Sequence, residues 1–246
     1  TAAAAPPDGH SMLMGTIGNM ALIPNTMETY KIEPLRDLIP VIQITETPDI
    51  LVAHPSLPVS TFEALIEYVK ANPGKIRYSP IDPYSIHRIE FEEIIRVTGA
   101  EMIWNQEILG SGGAMEALAS GEIELTMSTA PYTLPLVQKG VVKPMIVSAT
   151  KRLSQLPEIP TLQEVGIDAR GSWMGIFVPS GTPEPAVNRL FEAFQTAANL
   201  PENRQQIQAL GMWVHTSESP AAFRDFVKSE TERLAEAAKR AGIYVR

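Results

Sequence analysis

The chain has no cysteine among its 246 residues, which removes disulfides, zinc–thiolate sites and thiol nucleophiles and leaves the redox compartment open. It also lacks any apolar run near the ~20 residues that a membrane-spanning helix needs. Its opening, Thr1-Ala-Ala-Ala-Ala-Pro-Pro-Asp-Gly9, lacks the basic-then-apolar pattern of a signal peptide, so the expectation is that any export signal was removed or not included. Lysine and arginine are few and unclustered, and the net charge is −8, so nucleic acid is not an expected partner. Neither His54 nor His87 has a partner at metal-ligand spacing, and no metal or cofactor is expected. Internal repeats and low-complexity tracts are absent from the sequence too.

What is present is enough apolar material, 44% of residues, to bury one large core or two moderate ones. Short β-rich runs alternate with amphipathic helical stretches, the pattern of an α/β protein with mostly parallel sheets. The strands are expected at 11–15, 41–53, 76–79, 101–104, 122–128, 142–148 and 173–178. The clearest helix spans 61–71: Ser60 and Glu63 form a capping box, Phe62, Leu65, Ile66 and Val69 make one stripe, and Asn72-Pro73-Gly74 stops it. Further helices are expected from Ile86, from Pro183 to Asn199 and from Pro220 to Ala241, the last two opened by proline.

The run from Val41 to Ala53 is too long for an average strand and is interrupted by Pro48, so it is expected to leave one sheet and enter another. With a return near Ser148, residues 47–148 form one lobe, while 1–46 and 149–246 together build the other. Two crossings of this kind place a ligand cleft at the hinge.

The segment Leu156-Pro-Glu-Ile-Pro-Thr-Leu-Gln-Glu-Val-Gly166 holds a Thr161/Glu164 capping box and a glycine stop, and Gly171-Ser-Trp-Met-Gly-Ile-Phe-Val-Pro-Ser-Gly-Thr-Pro183 follows it. Other characteristic stretches are Pro7-Asp-Gly-His-Ser-Met-Leu13, Leu35-Arg-Asp-Leu-Ile-Pro-Val41, Met115-Glu-Ala-Leu-Ala-Ser-Gly-Glu-Ile-Glu124, Val147-Ser-Ala-Thr-Lys-Arg152, Ala209-Leu-Gly211 and Ala241-Gly-Ile243. Together they resemble the tripartite tricarboxylate transporter solute-binding proteins, the Bug-type periplasmic receptors, over nearly the whole chain. The resemblance implies a two-lobed, type II periplasmic-binding fold. Such a receptor closes on a small carboxylate, di- or tricarboxylate with aromatic acids included, and delivers it to the membrane permease subunits. It also implies a periplasmic location and a monomer. Two departures stand out. The chain starts downstream of the family's opening strand and Gly-Gly-x-x-Asp loop, and the family's glycine-rich Ser-x-Gly-x-Gly-Ser loop is replaced by Ser79-Pro-Ile-Asp-Pro-Tyr-Ser-Ile-His-Arg88, whose prolines remove backbone donors.

Four loops are therefore expected to converge on the ligand: Gly15, Thr16, Ile17 and Asn19; Ser79, Asp82, Tyr84, Ser85 and His87; Ser111, Gly112 and Gly113; and Ser128, Thr129 and Ala130. Backbone amides at helix starts would grip the anion, each helix contributing roughly half a positive charge. The alternative is that these are ordinary strand-to-helix turns, where glycine and serine are favoured anyway. Trp173 is a further candidate, with core packing as its alternative; His87 is equally a loop-fixing residue, Arg77 and Arg88 have the reach for a carboxylate, Glu90, Glu92 and Glu93 read as a solvated helix face, Phe191 and Phe194 as core, and 228–240 as an ion-paired surface. An enzyme with Ser111 as nucleophile and His87 or His54 as base stays open, although no Gly-x-Ser-x-Gly elbow or P-loop ending is present. A receptor that signals instead of feeding a permease is the third reading.

Overall fold

The computed structural model describes residues 2–245. In chain order the first elements are β1 (Leu13–Thr16), α1 (Ile23–Thr26), α2 (Pro34–Asp37), β2 (Leu38–Thr47) and β3 (Asp49–Ala53). Then come α3 (Phe62–Ala71), β4 (Arg77–Ser79), α4 (Ile86–Thr98), β5 (Ile103–Trp104), α5 (Gly110–Ser120), β6 (Leu125–Thr129), α6 (Ala130–Gln138) and β7 (Lys143–Ser148). The chain closes with β8 (Ser172–Pro179), α7 (Glu184–Asn199), α8 (Pro201–Ala209), β9 (Trp213–Val214) and α9 (Pro220–Arg240).

The chain divides into two compact units, Thr1–Glu46 with Trp173–Arg246, and Thr47–Ser172. The first boundary falls beside Pro48, which separates β2 from β3 because proline cannot donate to a ladder. The second falls at Ser172 and not at 148, where the sequence suggested it. The reason is that the segment after β7 folds back onto it: Val147 N–H donates to Pro160 O at 2.9 Å and Leu162 N–H to Val147 O at 2.9 Å. The Thr161/Glu164 capping box lies in that segment, with Thr161 N–H to Glu164 Oε2 at 2.7 Å and Glu164 N–H to Thr161 Oγ1 at 3.3 Å.

The first unit is built on the sheet β1-β8-β2-β9. Here the expectation of parallel sheets is corrected, because β1 pairs antiparallel with β8 and β2 antiparallel with the short β9, a strand too brief to leave a period in the sequence. Val41, Ile42, Ile176, Val178 and Val187 form an apolar cluster, with Phe191 and Phe194 of α7 packed against it. α9 starts as read, with Ser219 Oγ accepting from Ala222 N–H at 3.0 Å, and buries Phe223, Val227, Leu234, Ala237 and Ala238 along one face. Its outer surface is ion-paired through Glu236 and Lys239, whereas Glu230 is buried with Arg233 on it.

The second unit is built on β5-β4-β6-β3-β7. β4 runs parallel to both β5 and β6, while β3 runs antiparallel to β6 and β7. Its core gathers Leu51, Ala53, Phe62, Leu65, Val69, Tyr78, Phe91, Ile94, Leu125 and Met127, with helical and strand periods meeting on one face of the sheet. The cap of α3 is Thr61, whose Oγ1 accepts from Ala64 N–H at 3.1 Å, one residue later than the Ser60 box expected. Glu90 and Glu93, read as solvated, are buried on α4, and only Glu92 keeps partial exposure, paired with Arg88.

Gly175 tests the packing of the first unit. A Cβ there would sit 2.6 Å from Ile42 O and against the Phe223 ring. Gly175→Ala is expected to cost about 1–3 kcal/mol and lower the melting temperature by several degrees. A calorimetric midpoint unchanged from the parent would contradict this packing.

Candidate functional site

In the second unit the parallel strands end on one edge of the sheet. Asp49, the first residue of β3, lies opposite both Thr129 and Ser148, so β6 and β7 end there, and β4 and β5 run with β6. Ligands of open α/β sheets bind outside the carboxyl ends of such strands. Three helices begin there: α4 after β4, α5 after β5, and α6 directly after β6. Their partial positive ends therefore point at one rim.

The loops at this rim are bonded to one another. Gly110 N–H donates to Ile81 O at 2.6 Å, Ser79 Oγ donates to Ile108 O at 3.3 Å, and Ala130 N–H donates to Pro48 O at 2.8 Å. These bonds join the expected segments 79–87 and 110–113, while 128–130 is bonded to Pro48 and ends β6, which pairs with β4. Within them the residues differ in what they offer. Ser111 is half-buried and Gly112 and Gly113 are exposed in the first turn of α5, whose N-cap Leu109 has no capping side chain among the described residues. Helix geometry leaves the Ser111 and Gly112 amides without a carbonyl of the same helix. Ser128 is fully buried, on the strand face opposite Leu125 and Met127, and its Oγ has no partner among the described residues. Thr129 is half-buried at the N-cap of α6, again without a side-chain cap.

Other expected contacts are corrected. Ala130 is buried and its amide is already bonded to Pro48, while Pro131 has no amide to give. Ser79 is buried, and Ser85 is the N-cap of α4, accepting from Arg88 N–H at 3.3 Å. Asp82 and Tyr84 do form an exposed wall. Arg77 pairs with Glu124 at 2.6 Å, and Arg88 stacks on Trp104 at 4.0 Å from the ring centroid and bonds Tyr78 Oη at 2.8 Å; both guanidiniums are committed. A concavity of about 390 Å³ beside Gly113 is lined by Glu107, Glu116 and Glu122, and three carboxylates make it a poor anion site.

His87 is buried, with Nε2 3.1 Å from Asp49 Oδ1. Through this bond it ties α4 to β3, and its Nδ1 has no partner among the described residues. Asp49 Oδ2 accepts from Ser172 Oγ at 2.9 Å, and alongside, Gly171 N–H donates to Ser148 Oγ at 3.0 Å while Ser148 donates to buried Glu90. Sequence reasoning missed Asp49, Ser148 and Glu90. The only signal was a charged residue opening a strand that is otherwise apolar. His54 Nδ1 is 2.7 Å from Ser56 Oγ, the turn role expected of it.

In the first unit, Gly15 and Thr16 lie opposite Gly175 and Met174. Asn19 Oδ1 accepts from Thr16 N–H at 2.7 Å and Thr16 Oγ1 at 3.1 Å, closing the turn. Ile17 and Trp173 are corrected to core positions; Trp173 meets Phe223 and Phe226 edge-on at 5.8 and 5.5 Å. Gly15 is required by packing, since a Cβ there would lie 2.7 Å from Met20 Cγ.

With this geometry in hand, the fold is that of periplasmic binding proteins. The protein Rpa4515 of R. palustris, solved with adipate, superimposes with a TM-score of 0.89 at 28% identity, covering 99% of this chain and 81% of that one. MatC from Rhodopseudomonas palustris, solved with malate, gives 0.81 at 25% identity over 96% and 81%. The sequence profile of the tripartite tricarboxylate transporter family receptor matches residues 1–243, and the chain belongs to that family. A UPF0065 protein of Bordetella pertussis is 29% identical over 82% of this chain, which spans 62% of that relative's length.

The buried pair yields a prediction. Burial disfavours the charge on His87, but the Asp49 carboxylate, its hydrogen bond and Glu90 outweigh this and raise the imidazole above its ordinary 6.5. A raised folded-state value means the stabilisation is complete below the unfolded value and is lost as pH rises through the folded one. Melting temperature is expected to fall across that window, and Asp49→Asn, which removes the larger of the two carboxylate contributions, to cost about 3–5 kcal/mol and weaken this part of the pH profile. Equal profiles for the two proteins would refute the pairing.

Proposed function

We propose that this protein is a periplasmic receptor that captures a small organic carboxylate and hands it to the permease subunits of a tripartite tricarboxylate-type transporter. The observation that carries the reading is the rim of the second unit, where the uncapped first turn of α5 presents the Ser111 and Gly112 amides beside the starts of α4 and α6. The neighbours solved with adipate and malate support a carboxylate as the anion. Ser128 and Thr129 complete the proposed set on this unit, and Gly15, Thr16 and Asn19 are the proposed contribution of the first. The receptor acts as a monomer that closes on its ligand, without cofactor and without turnover.

A thermal-shift screen against mono-, di- and tricarboxylates tests capture. At a hundredfold excess over the dissociation constant, a true ligand adds about 2.7 kcal/mol, a rise on the order of 5–10 °C at this chain size. A flat response to the whole panel would remove the carboxylate reading. Closure predicts a smaller radius of gyration in scattering from the saturated protein, and an unchanged value sets closure aside while leaving capture in place.

Gly112→Asp probes the gripping helix. A side chain at this position meets nothing within 4 Å. An acid in the first turn suits the helix dipole, so the melting temperature should hold or rise while carboxylate affinity drops at least about tenfold. Undiminished affinity would move the anion away from α5.

A further inference from the structure

We infer that the loop from Pro80 to Ser85 selects against a second carboxylate, so that the preferred ligand is a monocarboxylate with an apolar aliphatic or aromatic body. The inference rests on the carboxylate reading above and narrows it.

Every backbone donor of this loop is spent inside the protein. Pro80 and Pro83 have none. Ile81 N–H donates to Ser79 Oγ at 3.3 Å, Asp82 N–H to Pro80 O at 2.8 Å, Tyr84 N–H to Asp82 Oδ1 at 2.7 Å, and Ser85 N–H to Asp82 O at 3.2 Å. The hydroxyl of Ser85 is shared between Pro80 O and Asp82 O, both at 2.8 Å. An anion placed against the loop would find no amide or hydroxyl to replace its water, and loss of hydration without compensation is costly.

The loop adds an opposing charge. Asp82 is exposed, and a second carboxylate beside it meets like-charge repulsion. What the loop and its neighbours offer instead is apolar surface. Tyr84 is 37% exposed and Tyr132 in the first turn of α6 is 61% exposed, both on segments that begin at the same sheet edge. Ile81 is held at φ 62°, a conformation unfavourable for a β-branched residue. In that conformation its carbonyl accepts the Gly110 amide at 2.6 Å, which takes the first donor of α5 and leaves the following turn for one carboxylate. One anion-binding turn facing a donor-free, apolar and negatively charged loop is matched by a molecule with one charged end.

The test compares acids that differ only in the second carboxylate: hexanoate with adipate, and benzoate with phthalate, by titration calorimetry on the full chain. Hexanoate and benzoate are expected to bind at least about tenfold more tightly than their partners. Equal or tighter binding of the diacids overturns the inference while the carboxylate reading stands; silence from all four acids removes both. Asp82→Asn keeps the acceptor for Tyr84 but removes the charge, and is expected to narrow the hexanoate-over-adipate ratio about threefold. A ratio unchanged in that variant overturns the role given to the loop.

Discussion

The second unit depends on the burial of charge at the point where its strands meet the ends of the chain segments leading to the first. Asp49 is fully buried, and a lone carboxylate in that position would cost several kcal/mol. Two partners prevent this: His87 Nε2 from α4 and Ser172 Oγ from the start of β8. Beside it Glu90, also from α4, accepts from Ser148 at the end of β7, which in turn accepts from Gly171 N–H. One helix is thereby locked to three strand ends through groups that have no solvent to fall back on. Gly171 is part of the same constraint, since its φ is +73° and a Cβ would lie 2.6 Å from Ser148 O and 2.9 Å from Thr47 O. No other residue permits that approach.

Locking α4 has a consequence for the rim. The helix starts from Ser85, so the network that anchors its first two turns also anchors the end of the donor-poor loop. That loop in turn holds the head of α5 through Ile81. Rigid placement of helix starts matters because a macrodipole acts only within its first turn. On the proposed reading it also reconciles an anionic ligand with a chain of net charge −8. Exposed charges more than about 8 Å away are screened at physiological ionic strength, while amides in direct contact are not. The sign of the whole molecule is then less important than the local field at the start of α5.

Much of the fold was legible because its signals are local. Ser219-Pro220 opens a helix, Pro48 breaks a strand, and Thr161 with Glu164 makes a reciprocal cap within four residues. The same locality explains the misses. β9 is two residues long and exists only because β2 is there to pair with it. Glu90 and Glu93 read as solvent-facing because their helix is amphipathic only once its buried polar partners are known. The candidate site residues divide in the same way: the serine and glycines of 110–113 are marked by local turn chemistry and remain the proposed site, whereas the loss of Ile17, Trp173 and the Ala130 amide to packing and to Pro48 involves residues distant in sequence.

The sequence by itself determined the order of strands and helices, most of their caps and breaks, the family to which the chain belongs, and the segments from which an anion site would be drawn. These follow from period, proline, glycine and hydroxyl placement, whose effects reach no further than one helix turn or one strand. Only the tertiary structure decided which sheet pairings are antiparallel, that the return to the first unit lies at Ser172, and which amides remain unspent. A donor's availability depends on whether some distant carbonyl has already taken it. That is a property of the folded arrangement and not of the residue.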